Sequence, residues 1–183
     1  NTREALEIDK ETQTTHWQDA INAELAQLHD YQTFQDLGCG SKAPSDHLRI
    51  RLHFVFAIKH DLRRKARLVA GGHITDPSKD ESYSSVVSLK SIRLALTLAE
   101  LNELKIVVGD IGNAYLEAYT KEKVYCIAGP EFGDLAGHTL VIVKALYGLR
   151  TSGARYHERF ADTQRDMNFV PCKADCDVWM RKG

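Results

Sequence analysis

Residues 52–72 read LHFVFAIKHDLRRKARLVAGG, and this stretch decides the fold. Leu52–His60 is rich in β-branched and aromatic residues, the composition of a strand. Asp61–Arg64 supplies a polar turn, and Lys65–Gly72 reads as a returning strand that ends at Gly71 and Gly72. The spacing predicts a hairpin over about residues 52–72, with basic residues at its tip and along one face. From Arg49 to Arg67 the chain carries Arg49, Arg51, Lys59, Arg63, Arg64, Lys65 and Arg67 against the single acid Asp61, a local net charge of +6. The whole chain is −1, so the remainder holds −7. This asymmetry describes one basic surface on an acidic body. Such a surface suits a polyanion, and it equally suits a solvated hairpin.

Outward from the hairpin, residues 14–30 follow helical spacing. Trp17, Ala20, Ile21, Leu25 and Leu28 form an apolar stripe that only Glu24 interrupts, with Thr14 or Thr15 as candidate cap. Leu37–Asp46 is rich in Gly, Ser, Pro and Asp and reads as a loop. Residues 73–87 are polar and irregular. Ser88 is a good N-cap for a helix through about Glu103, apolar enough to pack on more than one side. Lys105–Ile111 (KIVVGDI) reads as a buried strand that delivers an acid at its end. KVYCIAG and TLVIVKALYG read as strands, Gly153–Asn168 as a helix, and CDVWMRK as a last strand. The order is an α+β pattern.

The chain has 183 residues, 43% apolar and 27% charged, the balance of an ordinary soluble protein of one domain or one domain plus an appendage. No stretch approaches the ~20 apolar residues of a membrane span, and no secretory leader opens the chain. Its first residue is Asn1, which points to a fragment or a processed product. Cys39, Cys126, Cys172 and Cys176 are scattered. Cys172 and Cys176 stand four apart with His157 upstream, but no second close pair completes a zinc pattern, so free thiols are expected.

Asp110 is the most informative acid. A carboxylate at a strand end is the rigid hard-oxygen ligand that a metal site for phosphoryl transfer requires; the plainer alternative is an Asp that opens a turn. Tyr115 lies five residues on and fits either a sugar-pocket floor or a core ring. The basic hairpin could hold triphosphate and template backbone.

Five ordered blocks carry a resemblance. Trp17, Lys65–Gly72 (KARLVAGG), Val86–Arg93, Asp110–Leu116 (DIGNAYL) and Lys144–Ser152 (KALYGLRTS) resemble, in order and separation, the reverse transcriptase of copia-type LTR retrotransposons. The likeness runs from about Thr15 to the chain end. It implies a right-hand polymerase with an antiparallel sheet and packed helices. Residues 1–104 would be an N-terminal helix and fingers, and residues 105–183 a partial palm. Asp110 would be the first catalytic aspartate and a metal ligand, and the Ile111 carbonyl would help hold one ion. Tyr115 would be the gate that excludes a ribose 2′-OH. Lys59, Lys65 and Arg67 would contact the incoming triphosphate or template, Thr151 would sit beside the nucleotide, and Arg63 and Arg64 would bind nucleic acid. The implied cofactor is Mg²⁺ or Mn²⁺, weakly held. The implied partners are a primed RNA or DNA template, dNTP, and an integrase and RNase H of the same polyprotein. The implied setting is intracellular, in a cytoplasmic virus-like particle or the nucleus, without a membrane.

The chain departs from the family pattern at Gly71, where Arg is usual, at Thr151, where Gln is usual, and at Gly153–Ala154 in place of Pro-Arg. No Asp-Asp dipeptide occurs in the chain, so the family's Tyr-x-Asp-Asp turn is missing. Three readings follow: a nucleotidyltransferase domain incomplete at its C-terminal side and inactive alone, a non-catalytic nucleic-acid-binding module, or a non-functional retroelement remnant.

Overall fold

The computed structural model describes residues 1–75, 82 and 84–181. The irregular run expected over residues 73–87 therefore lies partly outside the described residues.

Two helices open the chain, α1 (Thr2–Thr12) and α2 (His16–Asp30). The sequence reading places one helix from residue 14; α1 is additional, and α2 begins two residues later. Thr15 stands at the N-cap position of α2, but its side chain does not cap the helix amides. The buried Asp9 of α1 does so, accepting from Trp17 N and Gln18 N at 2.9 Å each. Asp9 thereby satisfies orphan amides of the helix start from 8 and 9 residues away. On α2, Trp17, Ile21 and Leu28 are buried, as the stripe predicts.

Three small sheets follow among the described residues. A four-stranded sheet has the order β1 (Phe34–Cys39), β6 (His138–Ile142), β5 (Val124–Ile127), β2 (Leu48–Arg49). β1–β6 and β6–β5 are antiparallel, but β2 runs parallel to β5, so the sheet is mixed rather than purely antiparallel. β1 also takes in Leu37–Cys39, expected as loop; a register irregularity between Asp36 and Cys39 accommodates Gly38. The hairpin pairs β3 (Leu52–Ile58) with β4 (Arg64–Ala70) in continuous register. At the C-terminal side a short pair joins β7 (Val170–Pro171) to β8 (Trp179–Met180).

One hydrophobic cluster joins Ile21 and Leu28 of α2, Phe54 and Leu68 of the hairpin, Val124 and Ile142 of the sheet, and Leu116, Leu146 and Leu149 from the later loops. Each such side chain contributes roughly 1.5–3 kcal/mol on burial. The cluster draws on residues both before and after Leu104.

The two remaining α-helices among the described residues are α3 (Leu89–Leu101) and α4 (Ser152–Asp166). Ser88 caps α3 as expected, its hydroxyl accepting from Ser91 N at 3.1 Å. The expected packing on more than one side is not found, because α3 buries no residue. Lys105–Ile111 likewise forms no strand, and it is exposed throughout, with Val108 at 90%. The reason is physical. β-branched residues favour a pleated surface that a neighbour half-covers, and no neighbour among the described residues covers this run. The last turn does reach α3: Asp175 accepts from Ser88 N at 3.0 Å and from Ser91 Oγ at 2.6 Å. These bonds, Ser91 first, hold the Asp175 carboxyl down at about 2.

Candidate active site and nucleic-acid surface

Strand alternation sorts the hairpin into two faces. Phe54, Ala66, Leu68 and Ala70 turn into the core. Arg67 pairs with Val55 and Lys65 with Ala57 on the outward face, which Lys59 joins in the same alternation. Lys65 is pushed below its ordinary value by partial burial and by the cations Arg67, Lys59 and Arg63, against the opposing pull of Glu24. These like charges crowd one face, and an anionic ligand would relieve the repulsion.

The tip is arranged differently. Lys59 N donates to Arg63 O at 2.9 Å, and Leu62 adopts a left-handed conformation at φ 64°. Arg63 Nε pairs with Asp61 at 2.6 Å, and this bond is the main cause that lowers the Asp61 carboxyl. Arg64 donates to Leu62 O at 2.8 Å and lies over the Trp17 ring at 5.4 Å. Both tip arginines, expected to bind nucleic acid, thus already have internal partners. Lys59, Lys65 and Arg67 have no ion-pair partner among the described residues.

The outer edge of β4 is covered at two points. Glu24 accepts from Leu68 N at 2.9 Å, and Tyr147 O accepts from Ala70 N at 2.7 Å. The second contact brings the KALYGL block against the end of the KARLVAGG block. It requires two glycines. A side chain at Gly148, φ 90°, would strike Ala70 O, and one at Gly72 would strike Gly148 O.

This crossing assembles an aromatic cluster. Tyr115 stands on a 3₁₀ turn, Ala114–Glu117, anchored by the buried Leu116. Its ring packs on Tyr147 with centroids 4.8 Å apart and on Tyr156 of α4 at 6.3 Å. The Arg67 guanidinium lies 4.7 Å over the Tyr147 ring. The Tyr156 hydroxyl is raised above its ordinary value by burial, then by Glu117 and Asp110. Asp110 therefore stands within electrostatic reach of this cluster, although it and Ile111 are exposed and lie on no strand.

Thr151 is elsewhere engaged. It is 3% exposed, and its N and Oγ1 both donate to Glu122 Oε1, at 3.0 and 2.7 Å. The structure thus joins Arg67, Tyr147, Tyr115 and Tyr156, and keeps Thr151 and the tip arginines in other contacts. The sequence reading places Tyr156 on one side of the helix over residues 153–168 and gives neither it nor Tyr147 a role at the site; their position within the Lys144–Ser152 block and one helical turn beyond it is the available signal.

The four cysteines are free, and the described residues gather no group of three His, Cys, Asp or Glu able to hold a metal ion. Ser85, His157 and Asp177 carry the residue types of a hydrolytic triad. Both Ser85 Oγ and Asp177 Oδ1, however, contact the same ring nitrogen, Nε2 of His157. A proton relay needs both ring nitrogens, so this is a fastening between α4 and the last turn.

Residues 39–183 match the family model for reverse transcriptase (RNA-dependent DNA polymerase), and the chain belongs to that family. It is 37% identical over 107 residues to the Transposon Ty1-BL Gag-Pol polyprotein of Saccharomyces cerevisiae (strain ATCC 204508 / S288c), an alignment covering 57% of this chain and 6% of the relative. The Transposon Ty1-DR4 Gag-Pol polyprotein of the same yeast is 37% identical over 107 residues, with 57% and 7% covered. The chain thus spans less than a tenth of these relatives' length. No solved structure matches it. The copia-type retrotransposon reverse transcriptase expected from the five motif blocks is the reading these matches support.

Proposed function

We propose that this chain carries the nucleotide- and template-facing portion of an RNA-directed DNA polymerase, with the β3–β4 hairpin as fingers and residues 105–183 contributing part of the palm. The observation that carries the reading is the Arg67–Tyr147–Tyr115 stack, with Asp110 within electrostatic reach of it. An aromatic ring braced from behind by two others is rigid enough to test the sugar of an incoming nucleotide. Arg67, Lys65 and Lys59 supply unpaired cations for its triphosphate, and the basic face extends toward the template. The reaction is attack of a primer 3′-OH on the α-phosphate of a dNTP, releasing pyrophosphate.

Reverse transcriptases use divalent metal ions, and such an ion would neutralise charge developing on the phosphates. Asp110, an exposed hard-oxygen donor, has the chemistry of a ligand for Mg²⁺ or Mn²⁺, with the Ile111 carbonyl beside it. One carboxylate does not make a two-ion site, so the chain by itself binds nucleotide and template rather than joining them. Its partners are a primed template and the other products of a Gag-Pol polyprotein, and its setting is the particle or nucleus where such products work.

Primer-extension assays test this. The chain alone extends no primer; extension that Asp110→Asn abolishes would overturn that statement. In a polyprotein product that also carries a Tyr-x-Asp-Asp turn, Asp110→Asn removes extension and Tyr115→Ala admits ribonucleotides. Unchanged discrimination in Tyr115→Ala would overturn the gate.

A further inference from the structure

The C-terminal end of α2 closes in a left-handed turn. Gln32 N donates to His29 O at 2.8 Å, and Thr33 N donates to Leu28 O at 3.0 Å. Helices that end this way usually place glycine at the left-handed residue and an apolar side chain after it. Here Gln32 takes the left-handed conformation, φ 52°, and Thr33 follows it. Thr33 is fully buried, and its Oγ1 has no hydrogen-bond partner among the described residues. Valine has the same shape and would pack there without that loss, so folding gives no reason for the hydroxyl. Thr33 lines a concavity of about 750 Å³ between the end of α2, the start of β1 and the turn Pro130–Leu135. Leu28 and Leu140, both buried, line it with Leu25, Phe34, Phe132 and Leu135. The rings of Phe34 and Phe132 meet edge to face, with centroids 5.9 Å apart. Its titratable lining is His29, Asp30 and Asp36, with no lysine or arginine. Asp36 is engaged, accepting from Gly38 N at 2.8 Å and from His138 Nδ1 at 3.0 Å. Among the described residues Asp30 has only the exposed His29, at 3.8 Å, as a charged partner. The carbonyl end of α2 adds partial negative charge at the same place.

We propose that this hollow binds a small aromatic amine, with the ring against Phe34 and Phe132, the ammonium toward Asp30, and a ring N–H on Thr33 Oγ1. The proposal goes beyond the polymerase reading and uses none of its residues. The volume falls among small-molecule sites, roughly 300–1,000 Å³. The leucine and phenylalanine lining takes an apolar ring, and an aromatic face also attracts a cation. Asp30 and the carbonyl end of the helix set the sign of the charge, since no cation but the exposed His29 stands against it. Thr33 sets the polar contact: a donor on the ring would satisfy the one buried hydroxyl left without a partner. A peptide segment suits the hollow less well. Its backbone brings a donor and an acceptor at every residue, and the apolar lining offers them a single hydroxyl.

Equilibrium dialysis of radiolabelled tryptamine against the full chain, with unlabelled indole and indoleacetate as competitors, tests the proposal. Tryptamine binds saturably, indole competes more weakly, and indoleacetate does not compete. Ala26→Trp, at an exposed position that lines the hollow, removes binding. Thr33→Val weakens it about fivefold, the loss of one hydrogen bond, with a melting temperature equal to wild type or higher, and Thr33→Ser keeps it. Asp30→Asn weakens tryptamine several-fold and leaves competition by indole unchanged. Absence of saturable binding, or binding that survives Ala26→Trp, overturns the site. Wild-type affinity in Thr33→Val overturns the role of the hydroxyl. A lower melting temperature in Thr33→Val, with Thr33→Ser unaffected, makes that hydroxyl structural and overturns its assignment to a ligand. Competition by indoleacetate equal to that of unlabelled tryptamine overturns the assignment to a cation.

Discussion

Glu24 breaks the apolar stripe of α2, and its carboxylate is what fastens that helix to the hairpin edge. Burial raises its carboxyl above the ordinary 4.5, outweighing the Leu68 amide and the Lys65 and Arg67 cations that lower it. A raised folded-state value favours the protonated form in the folded chain. The resulting contribution to stability is full below the unfolded-chain value and is lost as pH rises through the folded one. Glu24→Gln is therefore expected to flatten the pH dependence just above pH 4.5 while keeping the acceptor for Leu68. Glu24→Ala leaves a fully buried residue's amide unpaired and costs about 1–3 kcal/mol. Urea melts of both variants at pH 4 and 7 check this; equal loss in the two would refute the hydrogen-bond account. The break in the stripe was legible in the sequence, but its partner stands 44 residues away and no local pattern names it. Asp110 is the converse case. Its residue type was readable, while its expected strand was not formed, because pairing is supplied by a neighbour and not by the run itself.

Among the elements, α3 and the run after it carry the largest contrast between pattern and burial. Leu94, Leu98, Leu101, Val107 and Val108 are all about half or more exposed. An apolar surface of this extent promotes association. Sedimentation velocity of the chain is expected to show concentration-dependent self-association, and Leu94→Glu/Leu101→Glu to reduce it without lowering the melting temperature. A monomeric wild type at high concentration would contradict this. The helix itself was legible from Ser88 and the leucine spacing. Its lack of cover was not, since periodicity says which residues seek burial and nothing of whether a partner meets them. The hairpin was the better case, because strand composition, turn and register are all local.

For the whole molecule, the five blocks that carry the family likeness are not equal partners in the fold. KARLVAGG and KALYGL meet through backbone contacts and the common core, whereas the α3 block lies outside that core. Native-state hydrogen exchange should therefore divide the chain. Amides of β4 and β6 are expected to open only near the global unfolding free energy, and those of α3 at least about 3 kcal/mol below it. Uniform protection would refute the division. The order of blocks was readable from the sequence, and their contact was not, because Gly72 and Gly148 stand 76 residues apart. A similar separation has a consequence in time. The first turn of α3 is completed by Asp175, 87 residues after Ser88. At the ribosome's roughly 5–20 residues per second, that carboxylate arrives about 4–17 s after the serine it serves. During that interval the greasy helix hangs from the nascent chain with an unfinished end, so yield in a cell depends on how fast translation runs through the roughly ninety codons between the two residues.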